Sequence, residues 1–425
     1  MGVINISRLE FRNRRLVIFL LAYLILMPYP GFLGNLCLRA IDLSIFLSAL
    51  VVYFILNVNH SIEKTKNNSK LILLILFIIT LWQSIVLCIN SVFWGRLVFA
   101  DLFDLYKVPL YFLLFYLGIQ LRQFDKEKIV VFFSFILIIE FILSIIQITI
   151  GGFSQALFTG RDFNSVYLNY SGRAIGTLGN PNYLGIFAVS LANWYLYLVI
   201  TKKKNIIKYL ILMFLAILIV FMTQSRTSFI LTACLFFIQF FFISLRKKRK
   251  IILNVLIFLA FLFVSYFIYS IIISGKSLTI FGYELSYLFT GMNKVISDGI
   301  NEQSSFKQRT ELWHIMLGYI KQNPWIGYGP SKGYPQIPDV ADNNYIYFIF
   351  KYGIINLFLW LILWITILKD VILNIVHKKH SLSILVLLFW IVLFTSSLTM
   401  ESLESLRVAS VVYFLTGLNF GSNKN

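Results

Sequence analysis

The sequence predicts an all-α polytopic membrane protein with about twelve transmembrane helices and with both termini in the cytoplasm. Of the 425 residues, 59% are hydrophobic and 13% are charged, whereas a soluble domain needs about 25% charged residues to cover its surface. The long apolar runs leave room for short connections and two long ones. Cys37, Cys88 and Cys234 are too few and too scattered for a secreted disulfide scaffold.

The apolar runs define the predicted spans. They lie at 16–32, 40–57, 71–91, 101–121, 129–150, 183–200, 206–222, 228–245, 251–274, 344–368, 381–399 and 405–421. The first run is followed by no small-x-small cleavage site, so it is expected to remain as a span. Because no soluble domain or internal repeat interrupts the runs, residues 1–425 are expected to form a single integral-membrane domain.

The net charge of +19 lies almost entirely on one side of this predicted topology. With the amino terminus inside, lysine and arginine concentrate in the inner connections, such as 202–204 and 246–250. The outer connections carry nearly as many acidic as basic residues. This distribution follows the positive-inside rule, so the charge predicts contact with membrane lipids and no nucleic-acid partner.

The predicted orientation can be tested by cysteine labelling. In a variant without the native cysteines, we expect a cysteine at position Ser331 to react with a membrane-impermeant maleimide added outside. A cysteine at position Lys248 should be protected, because Lys248 belongs to a strongly basic inner connection. The reverse pattern of labelling would show that the topology is inverted.

Two connections are long, and both fall on the outer side, at 151–182 and 275–343. Long ordered loops commonly carry function. Within the second, residues 305–320 predict an amphipathic helix along the outer membrane surface, with Trp313 and Trp325 at the level of the lipid headgroups. The apolar stripe of this helix consists of Leu312, Trp313, Met316, Tyr319 and Ile320.

Three outer arginines have distinctive surroundings. Arg173 lies in a segment rich in glycine and asparagine, Arg226 lies in a hairpin with Ser225 and Thr227, and Arg309 lies on the surface helix. A helix start with free N–H groups, hydroxyl caps and a guanidinium binds anions, phosphate above all. Arginines at membrane ends also anchor to lipid headgroups, and both roles are open for each of the three.

Five motifs occur in order between about residues 170 and 360. They are Gly172-Arg173 with Gly179-Asn-Pro-Asn182, Ser225-Arg-Thr227, Arg309-x-x-x-Trp313, Asn323-Pro-x-x-Gly327-x-Gly329, and Asp342-Asn343-x-Tyr345 followed by Gly353. In this order the chain resembles the O-antigen polymerase and ligase superfamily, above all its Wzy-type polymerases. The resemblance implies a glycosyltransferase of GT-C type that joins undecaprenyl-diphosphate-linked oligosaccharide repeat units on the outer face of the inner membrane. It also implies a separate chain-length-determinant co-polymerase as partner.

One departure from the family pattern bears on whether the chain is a polymerase or a ligase. Ligases usually carry His-Asn where this chain has Asp342-Asn343, so the resemblance favours a polymerase. An O-antigen ligase or a capsule polymerase of the same superfamily is the alternative. A transporter or flippase is the alternative from another class, but transporters usually show related halves, and the loop motifs have no second copy in the chain.

The resemblance and the chemistry of a diphosphate leaving group together give the candidate site. Arg173, Arg226 and Arg309 are expected to bind the diphosphate with no metal ion and no cofactor, because guanidinium groups stabilise developing anionic charge. Lys351, inside a span, is expected to join them or to pair with Asp104 or Glu140.

Catalysis is assigned to Asp342, Arg226 and Arg309. Asp342 is expected to accept the proton of the acceptor hydroxyl, unless it caps the helix that follows. Glu140, deep in its span, is expected to be structural. The residues that could contact sugars, or could equally be caps and interface anchors, are Asn180, Asn182, Trp313, Tyr328, Asn343 and Tyr345.

Overall fold

A computed structural model of the protein describes residues 15, 18–30, 44–53, 67–94, 99–121, 126–159, 170, 172–202, 204–244, 279–280, 283–284, 304–330, 341–378 and 381–421. The helices are α1 (18–26), α2 (Ser44–Tyr53), α3 (Asn67–Trp94), α4 (Phe99–Leu105), α5 (Lys107–Gln120), α6 (Lys126–Ile150), α7 (Gly152–Thr159), α8 (Pro181–Thr201), α9 (Ile206–Thr223), α10 (Arg226–Ser244), α11 (Ser304–Gln322), α12 (Asn344–Lys378), α13 (Ser381–Ser396) and α14 (Leu406–Gly421). A 3₁₀ turn, Ser402–Glu404, precedes α14. The strands β1 (Thr279–Ile280) and β2 (Tyr283–Glu284) form a short antiparallel pair, the one departure from an all-α fold within the described residues.

The described helices follow the predicted spans closely. Every predicted span coincides with a helix, except 251–274, which lies outside the described residues; the span 101–121 corresponds to α4 and α5 together. Within the described residues, α3, α6, α8, α9 and α12 are long and apolar enough to cross a membrane. The protein is therefore a multi-pass membrane protein. The total of twelve spans, the GT-C type and the cytoplasmic termini stay predictions.

The chain divides into two compact units. The first comprises Met1–Met27, Arg39–Phe132 and Arg309–Asn425, and the second comprises Pro28–Leu38 and Phe133–Gln308. In the first unit, α5 packs along α14 and α3 packs on α12. The backbones of α5 and α14 meet at two glycines, because a Cβ on Gly118 would lie 2.4 Å from the Phe414 carbonyl oxygen and one on Gly417 would meet Phe115. Small residues allow this close approach in membrane helices.

The central helix of the second unit is α8, which is buried along most of its length against α9 and α10. The Asn180 side chain caps α8 by accepting the Asn182 N–H at 2.8 Å, and Pro181 occupies the first turn, where its missing N–H costs nothing. A Cβ on Gly185 would lie 2.2 Å from the Ser228 hydroxyl oxygen, so glycine permits α8 to approach the start of α10.

The predicted amphipathic helix is confirmed as α11, and the predicted stripe is its inward face. Met316 is fully buried, whereas Ile315 and Leu317 beside it are exposed. The other four members of the stripe are half-buried. The position of α11 at a membrane surface stays a prediction. The loops 151–182 and 275–343, which the sequence predicts to be outer, lie partly outside the described residues.

The helix α12 is interrupted at Gly353, a break that the hydropathy pattern does not reveal. Gly353 has a left-handed φ of 76°, and a Cβ there would lie 1.8 Å from the Trp325 carbonyl oxygen. The segment 323–329 fills the break with backbone hydrogen bonds, which run from Tyr328 N to Phe350 O (2.9 Å), Gly329 N to Lys351 O (2.7 Å) and Ile354 N to Pro324 O (2.8 Å). The glycines of the motif are therefore needed where two backbones touch.

Candidate functional site

Asp342 and Asn343 lie side by side at the start of α12, and they have different roles. The Asn343 Oδ1 accepts the N–H groups of Tyr345 at 2.9 Å and Ile346 at 3.1 Å, so Asn343 is the helix cap. Asp342 has a left-handed φ of 48° and precedes the cap. The alternative in which Asp342 caps the helix is therefore wrong.

Asp342 forms an ion pair with Arg309. The Arg309 Nε donates to Asp342 Oδ2 at 3.0 Å, and the two side chains are 27% and 40% exposed. One turn further along α11, Trp313 Nε1 donates to the Ala341 carbonyl oxygen at 2.7 Å. The motif Arg309-x-x-x-Trp313 thus holds the turn before α12 with two side chains from one helix face, and the charged pair stays accessible to a ligand.

A carboxylate outside all the motifs, Glu401, holds the same turn. The Glu401 Oε1 accepts the Ala341 N–H at 2.6 Å. Glu401 lies in the connection between α13 and α14, outside both helices, and burial raises its pKa to about 7. The Ala341 N–H and the charge of Lys351 act in the opposite direction. The signal that could have found it is an acidic residue in a short connection between two predicted spans.

The same connection is tied to the first turn of α12 by further hydrogen bonds. The Asn344 N–H donates to Ser397 O at 2.9 Å, and the Asn344 Oδ1 accepts the Leu403 N–H at 2.9 Å. The Asn343 Nδ2 donates to Leu398 O at 3.2 Å. The start of α12 is therefore fixed by side chains from α11 and by backbone and side-chain groups of the α13–α14 connection.

Lys351 lies in a buried network of charges behind this turn. Its side chain is 1% exposed, and its Nζ lies 3.3 Å from Asp104 Oδ2 and 2.5 Å from Tyr347 Oη. Lys107 lies 3.5 Å from the other Asp104 oxygen and 2.5 Å from Glu404 Oε2. Of the two partners proposed for Lys351, the structure gives it Asp104. A buried ammonium in this pairing is not accessible to a diphosphate, so we assign Lys351 to the network and not to substrate binding.

Breaking this network should destabilise the protein. We expect Lys351→Met to lower the melting temperature of the purified protein, because loss of one partner of a buried ion pair costs about 3–5 kcal/mol. Adding Asp104→Asn should restore part of the lost stability, because it removes the carboxylate charge that would lie beside the apolar methionine. Lys107 would still form its ion pair with Glu404. An unchanged melting temperature in the single variant would contradict the role of Lys351 in stability.

The aromatic residues considered for sugar binding all make intramolecular contacts. Tyr345 Oη donates to Phe394 O at 3.0 Å. Tyr328 is 8% exposed, and its ring stacks on Phe350 with 5.6 Å between the ring centroids. Trp313 donates to the turn described above. These contacts account for the residues structurally, and sugar binding by any of them stays a prediction.

In the second unit, Arg173 lies against the hairpin that carries Arg226. The Arg173 Nε donates to Thr223 O at 3.0 Å, and its Nη2 lies 3.4 Å from Asn182 Oδ1. In return, Gln224 Nε2 donates to a carbonyl oxygen of the Arg173 loop at 2.7 Å. The predicted hairpin is confirmed, because α9 ends at Thr223 and α10 begins at Arg226. The structure therefore brings two of the three arginines to one turn.

The loop 172–180, which carries Arg173, is held by hydrogen bonds to side chains of α6. The Gln147 Oε1 accepts the N–H groups of Ile175 at 2.9 Å and Gly176 at 2.8 Å. Glu140 is fully buried, and its Oε2 accepts the Thr177 N–H at 3.0 Å. Glu140 is thus a structural residue, as its depth in the span predicted. Polar residues inside a membrane helix are satisfied here by a returning loop backbone.

The comparison with known protein families finds a match over part of the chain. The sequence model of the family described as O-Antigen ligase matches residues 211–361, and no curated protein matches the chain. The matched range contains Arg226, Arg309 and Asp342, and Arg173 and Glu401 lie outside it. Among the residues that the structure describes, no group of three or more His, Cys, Asp or Glu side chains could hold a metal ion. The resemblance to the O-antigen polymerase and ligase superfamily that the motifs predict is therefore confirmed over residues 211–361.

Proposed function

We propose that the protein polymerises undecaprenyl-diphosphate-linked oligosaccharide repeat units and releases undecaprenyl diphosphate as each glycosidic bond forms. Members of the matched family are glycosyltransferase-like enzymes. The observation that carries the proposal is the accessible Arg309–Asp342 ion pair, which lies on a fixed turn inside the matched range. It combines a group that binds phosphate with a group that accepts a proton.

The reaction breaks the bond between the donor's anomeric carbon and a diphosphate oxygen, and forms a bond to the acceptor's hydroxyl oxygen. The diphosphate leaves with the electron pair, and the hydroxyl proton goes to Asp342. We assign Arg309 of the first unit, and Arg173 and Arg226 of the second, to the phosphate groups of the lipid-linked substrates. A guanidinium group can bind two phosphate oxygens at once, so a guanidinium at the leaving group stabilises the charge that develops there.

Asp342 supports a polymerase over a ligase. The family pattern in ligases has a histidine at this position, and here an aspartate forms an ion pair with Arg309. The second candidate is an O-antigen ligase, which transfers finished polymer to lipid A–core. The description of the matched family supports this candidate.

The proposed reaction takes place on the periplasmic face of the bacterial inner membrane. The distribution of basic residues predicts that Arg226, Arg309 and Asp342 lie on the outer side. The substrates reach these turns with their lipid tails in the membrane and their sugars in the periplasm. A chain-length-determinant co-polymerase is proposed as a separate partner.

The phenotype of a deletion strain separates the candidates. If the protein is a polymerase, the lipopolysaccharide gel should show core carrying a single repeat unit, because ligation continues without polymerisation. If it is a ligase, no O-antigen should appear on the core. An unchanged ladder, in a strain with no second copy of the gene, would contradict both.

A further inference from the structure

We propose that Glu401 is a positioning residue for this transfer and that its ionisation sets the dependence of the reaction on pH, because it holds the turn that carries Asp342. The inference rests on the proposed function, in which Asp342 accepts the proton. None of the motifs includes Glu401, and it lies outside the range matched by the family.

The geometry shows how Glu401 acts through the backbone. Both backbone polar groups of Ala341 form hydrogen bonds: its N–H donates to Glu401, and its carbonyl oxygen accepts from Trp313. Asp342, the next residue, has a left-handed φ, which costs free energy in residues other than glycine, although aspartate and asparagine tolerate it better than most. Glu401 is therefore one of the groups that hold the turn in this conformation, in which Asp342 forms its ion pair with Arg309.

Glu401 changes its charge near neutral pH because of where it lies. Burial raises its pKa to about 7, and the negative charge of Glu404 raises it further, whereas the positive charges of Lys351 and Lys107 lower it. The ionisable groups on the elements around Glu401 are Lys351 and Tyr347 of α12, Asp104 and Lys107 at the α4–α5 junction, Glu404 of the 3₁₀ turn, Arg407 of α14, and Asp342 and Arg309 at the turn itself.

The charge matters because an ionised carboxylate binds an N–H group about twice as strongly as a neutral acceptor does. When Glu401 is protonated, the Ala341 N–H is held more weakly and the turn can relax from its left-handed conformation. Asp342 then spends less time in the productive position. The rate of transfer should accordingly fall as the pH drops below about 7, with little change in substrate binding.

The test uses the purified full-length protein and lipid-linked repeat units. For the wild type we expect kcat to rise about tenfold with pH, with a midpoint near the pKa of Glu401, while KM changes by less than about twofold. Glu401→Gln should keep a low kcat with no step, because an amide accepts a hydrogen bond without ionising. Glu401→Asp should restore part of the step. A step unchanged in Glu401→Gln, or no step in the wild type, would overturn the proposal.

Glu404→Gln is a control variant for the identity of the titrating group. A purely structural role of Glu401 would not predict its effect on the pH dependence. Because Glu404 raises the pKa of Glu401, its replacement should move the step to lower pH without removing it. A step that stays at the same pH would contradict the assignment of the titrating group.

A second measurement needs no activity. The pKa of Glu401 is raised from its ordinary value of 4.5 to about 7 in the folded protein, so the folded state binds this proton more tightly than the unfolded state. Stability from this group therefore falls as the pH rises from 4.5 to about 7. The melting temperature of the wild type should decline over that range relative to Glu401→Gln. Parallel declines would overturn the ionisation of Glu401. A wild type that declines as expected but forms no polymer would instead contradict the proposed function.

Discussion

Arg226→Ala and Arg309→Ala are each expected to abolish the polymer while the amount of protein in the membrane stays normal. Each change removes a guanidinium that we assign to a phosphate group, and loss of one such charge at a transition state costs about 10²–10³-fold in rate. Stability should change little at Arg309, because an ion pair this exposed contributes only about 0–1 kcal/mol. Lipopolysaccharide gels and immunoblots of the membrane fraction measure the two quantities.

Two further variants separate substrate binding from lipid anchoring. Arg226→Lys should recover only part of the polymer, since a lysine supplies a point charge where arginine supplies a planar pair of donors. Lys321→Ala is the matched control, because Lys321 is exposed on the same helix as Arg309 and should leave the ladder unchanged. Wild-type ladders from both arginine-to-alanine variants would show that these residues are headgroup anchors.

Asp342→Asn is expected to lower the turnover of purified lipid-linked repeat units by about 10²-fold or more, with normal expression. Asparagine has nearly the same shape and tolerates the left-handed conformation of this position, but it cannot accept a proton at neutral pH. A near-normal rate would rule out Asp342 as the proton acceptor. Another carboxylate, such as Glu311 or Asp339, or the leaving diphosphate would then have to take the proton.

The neighbouring residue provides the control for this result. Asn343 is the cap of α12, so Asn343→Ala should cost about 1 kcal/mol of stability. Asn343→Asp should keep the cap and most of the stability, because aspartate caps a helix about as well as asparagine. If Asn343→Asp lost turnover as severely as Asp342→Asn, the two positions would not have the separate roles described above.

Hydropathy predicted the helices because burial in lipid or protein requires long apolar runs, and both the runs and the helices are local in sequence. The hairpin at Arg226 was predictable for the same reason: its turn residues and the helix ends are adjacent in the chain. The ordering of motifs indicated the superfamily, although it did not show what each motif residue touches.

The remaining features depend on contacts between distant segments. The sequence could not decide between Asp342 and Asn343 as the cap, because both residue types cap helices and they are adjacent. The partner of Lys351 is separated from it by 247 positions, and the break at Gly353 is closed by a loop from another part of the chain. Glu401 was missed because its role depends on a hydrogen bond from the Ala341 N–H, which is 60 positions away in the sequence.

The most direct measurement of the proposed function is a reconstituted reaction containing the purified protein and lipid-linked repeat units as the only sugar substrate. A polymerase uses the same molecule as donor and acceptor, so we expect longer lipid-linked chains and release of undecaprenyl diphosphate. Both should be lost in Arg309→Ala. If the wild type forms no product until lipid A–core is added and then transfers sugar to it, the protein is a ligase and the polymerase assignment is wrong.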